Sequence, residues 1–175
     1  MRRQTIFTVL LLFCPTVFCL AQETALKKKY IADIRTAYAE AKAQMGHANG
    51  EESPRNDTEI VGMYIYPGTG PTRDVTHYYY TGDWDEDCSN YIYTPYFISR
   101  SYNVAATKYY EEFLYNQQES LIFYYQKSGD REVRFYWGPN GFFHDDIKGE
   151  PLTDMVSACR LSEDLIEAFN HLMNR

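Results

Sequence analysis

Polar and apolar positions alternate with a period of two through most of the middle of the chain. Leu121, Phe123 and Tyr125 occupy odd positions of one run, and Val133, Phe135 and Trp137 odd positions of the next. A period of two places each trio on one side of a strand. Ser128-Gly129-Asp130 and Gly138-Pro139-Asn140-Gly141 separate the runs with residues that suit tight reversals. The stretch Phe113 to Phe143 therefore reads as consecutive β-hairpins. Similar runs precede it: Glu59 to Tyr66, Thr72 to Thr81, Tyr91 to Tyr102 and Thr107 to Tyr115, with Phe142 to Ile147 closing the series. Pro95 cannot donate a ladder hydrogen bond, which predicts an edge, a bulge or a break at that point.

The period changes at both ends. Leu26, Tyr30, Ile34, Tyr38, Ala41 and Met45 recur at steps of three and four, one stripe of an amphipathic helix that Thr24 can cap and Gly46 can end. Leu161, Leu165, Phe169 and Leu172 form a second stripe, with Ser162 as a start signal and Met155, Val156 and Cys159 in an earlier turn. His47 to Thr58 is a polar loop containing an Asn56-Asp57-Thr58 glycosylation acceptor. The predicted fold is α+β: an N-terminal and a C-terminal helix packed on one twisted antiparallel meander of about six or seven strands. Leu121, Phe123, Val133, Phe135 and Trp137 are expected on the core side.

The first residues change the picture of compartment. Arg2 and Arg3, the apolar run Ile6 to Phe13, and Cys19-Leu20-Ala21 before Gln22 have the layout of a secretory signal peptide cleaved after Ala21. The apolar run to Leu20 is short for a membrane span and contains Pro15. Residues 22–175 then form a single domain, secreted or periplasmic. Loss of two arginines leaves 15 basic against 24 acidic residues. Such a chain, without a basic block beyond Lys27-Lys28-Lys29, is poorly suited to nucleic acid. Cys88 and Cys159 remain, and an oxidising compartment makes them a disulfide candidate, with two free thiols as the alternative.

Three clusters carry candidate chemistry. In the acidic loop, Asp83, Asp85 and Asp87 alternate like the first half of a Ca²⁺ loop, although Cys88 stands where that loop needs glycine and Thr94 where it needs glutamate. His144 beside Asp145 and Asp146 offers an imidazole next to carboxylates. The third is the 17 tyrosines. On the side opposite the expected core, Tyr124, Arg134 and Tyr136, with Tyr110 on the preceding strand, are candidates for contacting a protein or a glycan. No catalytic residues can be assembled, so the expected function is non-enzymatic binding. The alternative is a small hydrolase or metal-dependent enzyme using the acidic loop and His144.

Leu114 to Tyr125, Glu132 to Tyr136 and Asn140 to Phe143 together resemble segments of small exported bacterial proteins of no assigned function. In those proteins a signal peptide and a helix precede hairpins of this pattern. The resemblance implies a helix-plus-meander fold and brings no catalytic residue. Glu119 departs from it, standing where the turn would hold glycine.

Overall fold

A computed structural model describes residues 15–47, 57–66 and 70–173. The two arginines and most of the apolar run of the expected signal segment, Asn56 of the acceptor, and most of the polar loop lie outside the described residues. Helix α1 (Pro15–His47) precedes seven strands: β1 (Asp57–Tyr66), β2 (Gly70–Asp85), β3 (Asn90–Val104), β4 (Thr107–Tyr115), β5 (Leu121–Ser128), β6 (Arg131–Trp137) and β7 (Phe143–Lys148). Helix α2 (Met155–Met173) ends the chain. The strands form one antiparallel sheet whose spatial order is their chain order. The α+β meander is therefore the fold, and β4 has the bounds its pattern predicts.

The helices lie on opposite faces of this sheet. Ile34 and Ala41 of α1 pack with Phe97, Leu114, Phe123 and Tyr136. Ala158, Leu165 and Phe169 of α2 pack with Tyr78, Tyr80, Ile98, Phe113, Tyr115, Tyr124, Val133 and Phe135. Burial on both sides removes the need for polar alternation, and the five residues Glu111 to Tyr115 are all buried.

This corrects the expected division of the β5–β6 hairpin into a core side and an exposed side. Its turn is two residues long, with Ser128 opposite Arg131 and Gly129 at φ 62°. That register sets Phe123 opposite Tyr136 and Tyr124 opposite Phe135. From Phe123 onward, odd-numbered residues of β5 thus share a face with even-numbered residues of β6, while Leu121, beyond a register slip opposite Tyr115, packs on the α2 face. Phe123 faces α1, whereas Val133 and Phe135 face α2.

Two other boundaries differ from the sequence pattern. β2 continues through Asp85 and β3 begins at Asn90, so the expected acidic loop shrinks to four residues at the tip of a long hairpin. β1 pairs with β2 only as far as Tyr79, and β4 with β3 only from Phe97. Beyond those points β2 and β3 continue as a two-stranded arm. The register slips between Tyr79 and Tyr80, opposite Pro95 and Phe97, so the proline marks a bulge. At the other end, α2 starts six residues before the apolar stripe. Asp154 accepts a hydrogen bond from the Ser157 backbone N–H at 2.9 Å and one from its hydroxyl at 2.9 Å, capping the helix. Ser162 lies inside the helix, where its hydroxyl donates to Tyr115 at 3.0 Å.

Candidate binding groove on the first-helix face

Consecutive residues of β4 centre a hydrogen-bond network on each face of the sheet. Glu111 points to the α2 face and Glu112 to the α1 face, and both are buried, 2% and 3% exposed. Glu111 accepts hydrogen bonds from Tyr124 (3.0 Å), Gln126 (2.9 Å) and Arg100 (3.3 Å). Arg100 also grips Asp74 through Nε, at 3.0 and 2.9 Å, and Nη2. Burial pushes the Glu111 carboxyl above its ordinary value, with the Arg100 charge opposing. Glu112 accepts from Tyr38 (2.5 Å), Lys42 (2.6 Å) and Tyr110 (2.7 Å). Burial, then this bond, holds the Tyr38 hydroxyl well above its ordinary value, so it stays a donor.

The Glu112 bonds fix the side of α1 that forms one wall of a groove of about 480 Å³. Ile34, Arg35 and Tyr38 contribute this wall; Phe123 and Tyr125 of β5, Arg134 and Tyr136 of β6, and Asp146 of β7 make the rest. Two guanidiniums lie over two rings. Arg134 sits 5.0 Å from the centre of Tyr125, and Arg35 sits 5.9 Å from the centre of Tyr136. Tyr136 is also stacked on His144 at 5.8 Å. Burial, then the nearby Lys27 charge, lowers the basicity of His144 and favours a neutral ring there.

The two cations differ in their partners. Arg134 donates to Glu132 at 2.7 Å and lies 3.8 Å from Asp146. Arg35 forms no ion pair among the described residues. The groove therefore offers the half-buried Tyr125 ring, a guanidinium paired with carboxylates and a second guanidinium without an ion pair among the described residues, while the buried Tyr136 ring forms the floor beneath Arg35. That set suits recognition of a ring-shaped ligand with a negative group.

The residues expected from the sequence separate accordingly. Arg134 and Tyr136 meet in the groove. Tyr110 shares their face but reaches Glu112 instead. Tyr124 lies on the other face, 1% exposed and bonded to Glu111, so it presents no surface to a partner. The missed contributors are Arg35 and Tyr125. The step of four from Tyr30 to Ile34 and on to Tyr38 places Arg35 at the border of the helix stripe, the only signal for it.

The other two clusters do not assemble. Among the described residues no three His, Cys, Asp or Glu side chains are placed to hold a metal ion. Asp83 lies within the β2–β3 ladder opposite Ile92. The Asp85 carboxylate is occupied by the backbone N–H groups of Asp87 (2.8 Å) and Cys88 (3.4 Å), and the first of these bonds holds it below its ordinary value. His144 on β7 is four strands from β3, about 19 Å at ordinary strand spacing, so it does not meet the acidic hairpin.

Cys88 and Cys159 are both free, which corrects the expected disulfide. Cys88 is exposed in the turn of the β2–β3 arm, while Cys159 lines a cavity with Leu121, Trp137 and Ile166. They belong to different neighbourhoods, and the bond needs close Cα atoms. Among the described residues no helix is long and apolar enough to cross a membrane. No family model matches the chain, and neither a curated protein nor a solved structure gives a match.

Proposed function

We propose that the chain is an exported, non-enzymatic binding protein whose α1-face groove takes a glycan bearing a carboxylate, such as a uronic acid. One observation carries this reading: Arg35, without an ion-pair partner among the described residues, lies over the Tyr136 ring and lines the same groove as the Arg134–Tyr125 pair. A sugar ring stacks on an aromatic face through its C–H groups, and a guanidinium holds a carboxylate through two parallel hydrogen bonds. The groove volume, about 480 Å³, falls within the usual range for small-ligand sites. Export rests on the signal-like N-terminus.

Calorimetric titration with oligogalacturonate and with a neutral oligosaccharide of the same length tests the reading. The acidic sugar is expected to bind, and Arg35→Ala to weaken it by about tenfold or more, the loss of one charge-assisted contact. Arg35 is exposed, so its replacement is expected to leave the fold intact. Equal binding of both sugars, or no binding of either, would overturn the assignment. Binding of acidic peptides alone would replace the glycan with a protein partner.

A further inference from the structure

The two edges of the sheet are protected very differently. β7 ends one edge with Asp145, Asp146 and Lys148, charges that discourage another strand from adding. β1 ends the other, and from Ile60 to Tyr66 it contains neither a charge nor a proline. Val61, Met63 and Ile65 are 46%, 65% and 83% exposed. They lie on the α1 face, but the cluster under α1 reaches only from β2 to β6, so the helix leaves this row bare. Among the described residues no strand pairs with the outer side of β1.

We propose that β1 pairs antiparallel with β1 of a second copy, joining two sheets across a two-fold axis. A register with Gly62 opposite Gly62 places Val61 opposite Met63 and Glu59 opposite Ile65 of the second copy. The one-sided placement of charge along β1, with Arg73 beside it, favours this occupant. Both acidic residues of β1, Asp57 and Glu59, lie in its first half. Antiparallel pairing sets that half against the uncharged half of the other copy, whereas parallel pairing would align the carboxylates. Arg73, opposite Met63 on β2, makes no ion pair among the described residues and would enter the field of Glu59 of the second copy.

Light scattering coupled to size exclusion, across micromolar concentrations, reads the result. The intact protein is expected at twice the chain mass. Met63→Lys and Ile65→Lys are each expected to return it to the single mass with an unchanged circular-dichroism spectrum, because both side chains are largely exposed in the single chain. Ile147→Lys, on the opposite edge, is expected to keep the double mass. A single mass for the unmodified protein would overturn the proposal. So would a double mass that survives both β1 substitutions, or one lost on replacing Ile147.

Discussion

Glu111 and Glu112 are neighbours in sequence, equally buried, and placed on opposite faces of one sheet, yet their surroundings differ. The partners of Glu111 are themselves enclosed: Tyr124 and Gln126 are buried, and Arg100 is shared with Asp74. The partners of Glu112 reach toward water: the Lys42 side chain is 39% exposed, and Tyr110 is exposed. The network around Glu111 is closed off, whereas the contacts around Glu112 stop at one line and leave the groove open beside it. An enclosed network on one side of the sheet and a half-open one on the other combine a stable support with a groove. The groove residues take their positions from the anchored half of α1.

The largest expected effect comes from removing the enclosed carboxylate. Glu111→Ala strands Tyr124, Gln126 and one of the Arg100 bonds away from water, and is expected to cost about 3 kcal/mol in denaturant unfolding. Glu112→Ala frees partners that water can reach, and is expected to cost about 1 kcal/mol. Equal losses would mean that the two networks are enclosed alike.

A pH series sharpens the same contrast. Because its carboxyl is raised by burial, folded Glu111 takes up a proton more readily than the unfolded chain does. Its contribution to stability is therefore greatest in acid and declines as pH rises from the ordinary carboxylate value through the raised one. The stability difference between the intact protein and Glu111→Gln is expected to fall across that window, with a slope of at most about 1.4 kcal/mol per pH unit. A difference that is flat or rises with pH would show that Arg100 outweighs burial.

The smallest effect belongs to the open face. Tyr38→Phe removes one hydrogen bond to Glu112 while keeping the ring contacts with Phe97 and Phe123 at 6.0 and 5.2 Å. It is expected to cost about 1 kcal/mol or less. A loss as large as that of Glu111→Ala would place the α1 anchor among the main supports of the fold.

Much of the architecture could be read from residue pattern because the relevant physics is local. The α1 stripe from Tyr30 to Met45, the bounds of β4 and the bulge near Pro95 each follow from periodicity or from a missing donor. The assignment of faces could not, because it depends on turn length. Two residues between Ser128 and Arg131 reverse which parity of β6 joins Phe123. Consecutive aromatics such as Phe123-Tyr124 and Phe135-Tyr136 carry a signal of burial on both sides, one that alternation within a single run obscures. Buried Glu111 and Glu112 read as ordinary polar residues, since only cross-strand neighbours make them cores of hydrogen-bond networks. The groove shares this limit: Arg134 and Tyr136 are recognisable as a charged–aromatic pair, but Arg35 is a hundred residues away and meets them only through packing. Glu119 shows a local rule giving way, with φ 57° in the turn where glycine was expected. Asn116 holds that turn by accepting backbone N–H bonds from Gln118 and Ser120 at 2.9 and 3.0 Å.

The most direct test of the open face as the binding face is a backbone and side-chain NMR titration with oligogalacturonate. The account predicts shift changes concentrated on Arg35, Tyr125, Arg134 and Tyr136, with the buried Tyr124, Phe135 and Phe169 on the α2 face unmoved. Changes centred on the α2 face, or on the Asp83 to Cys88 hairpin, would contradict it.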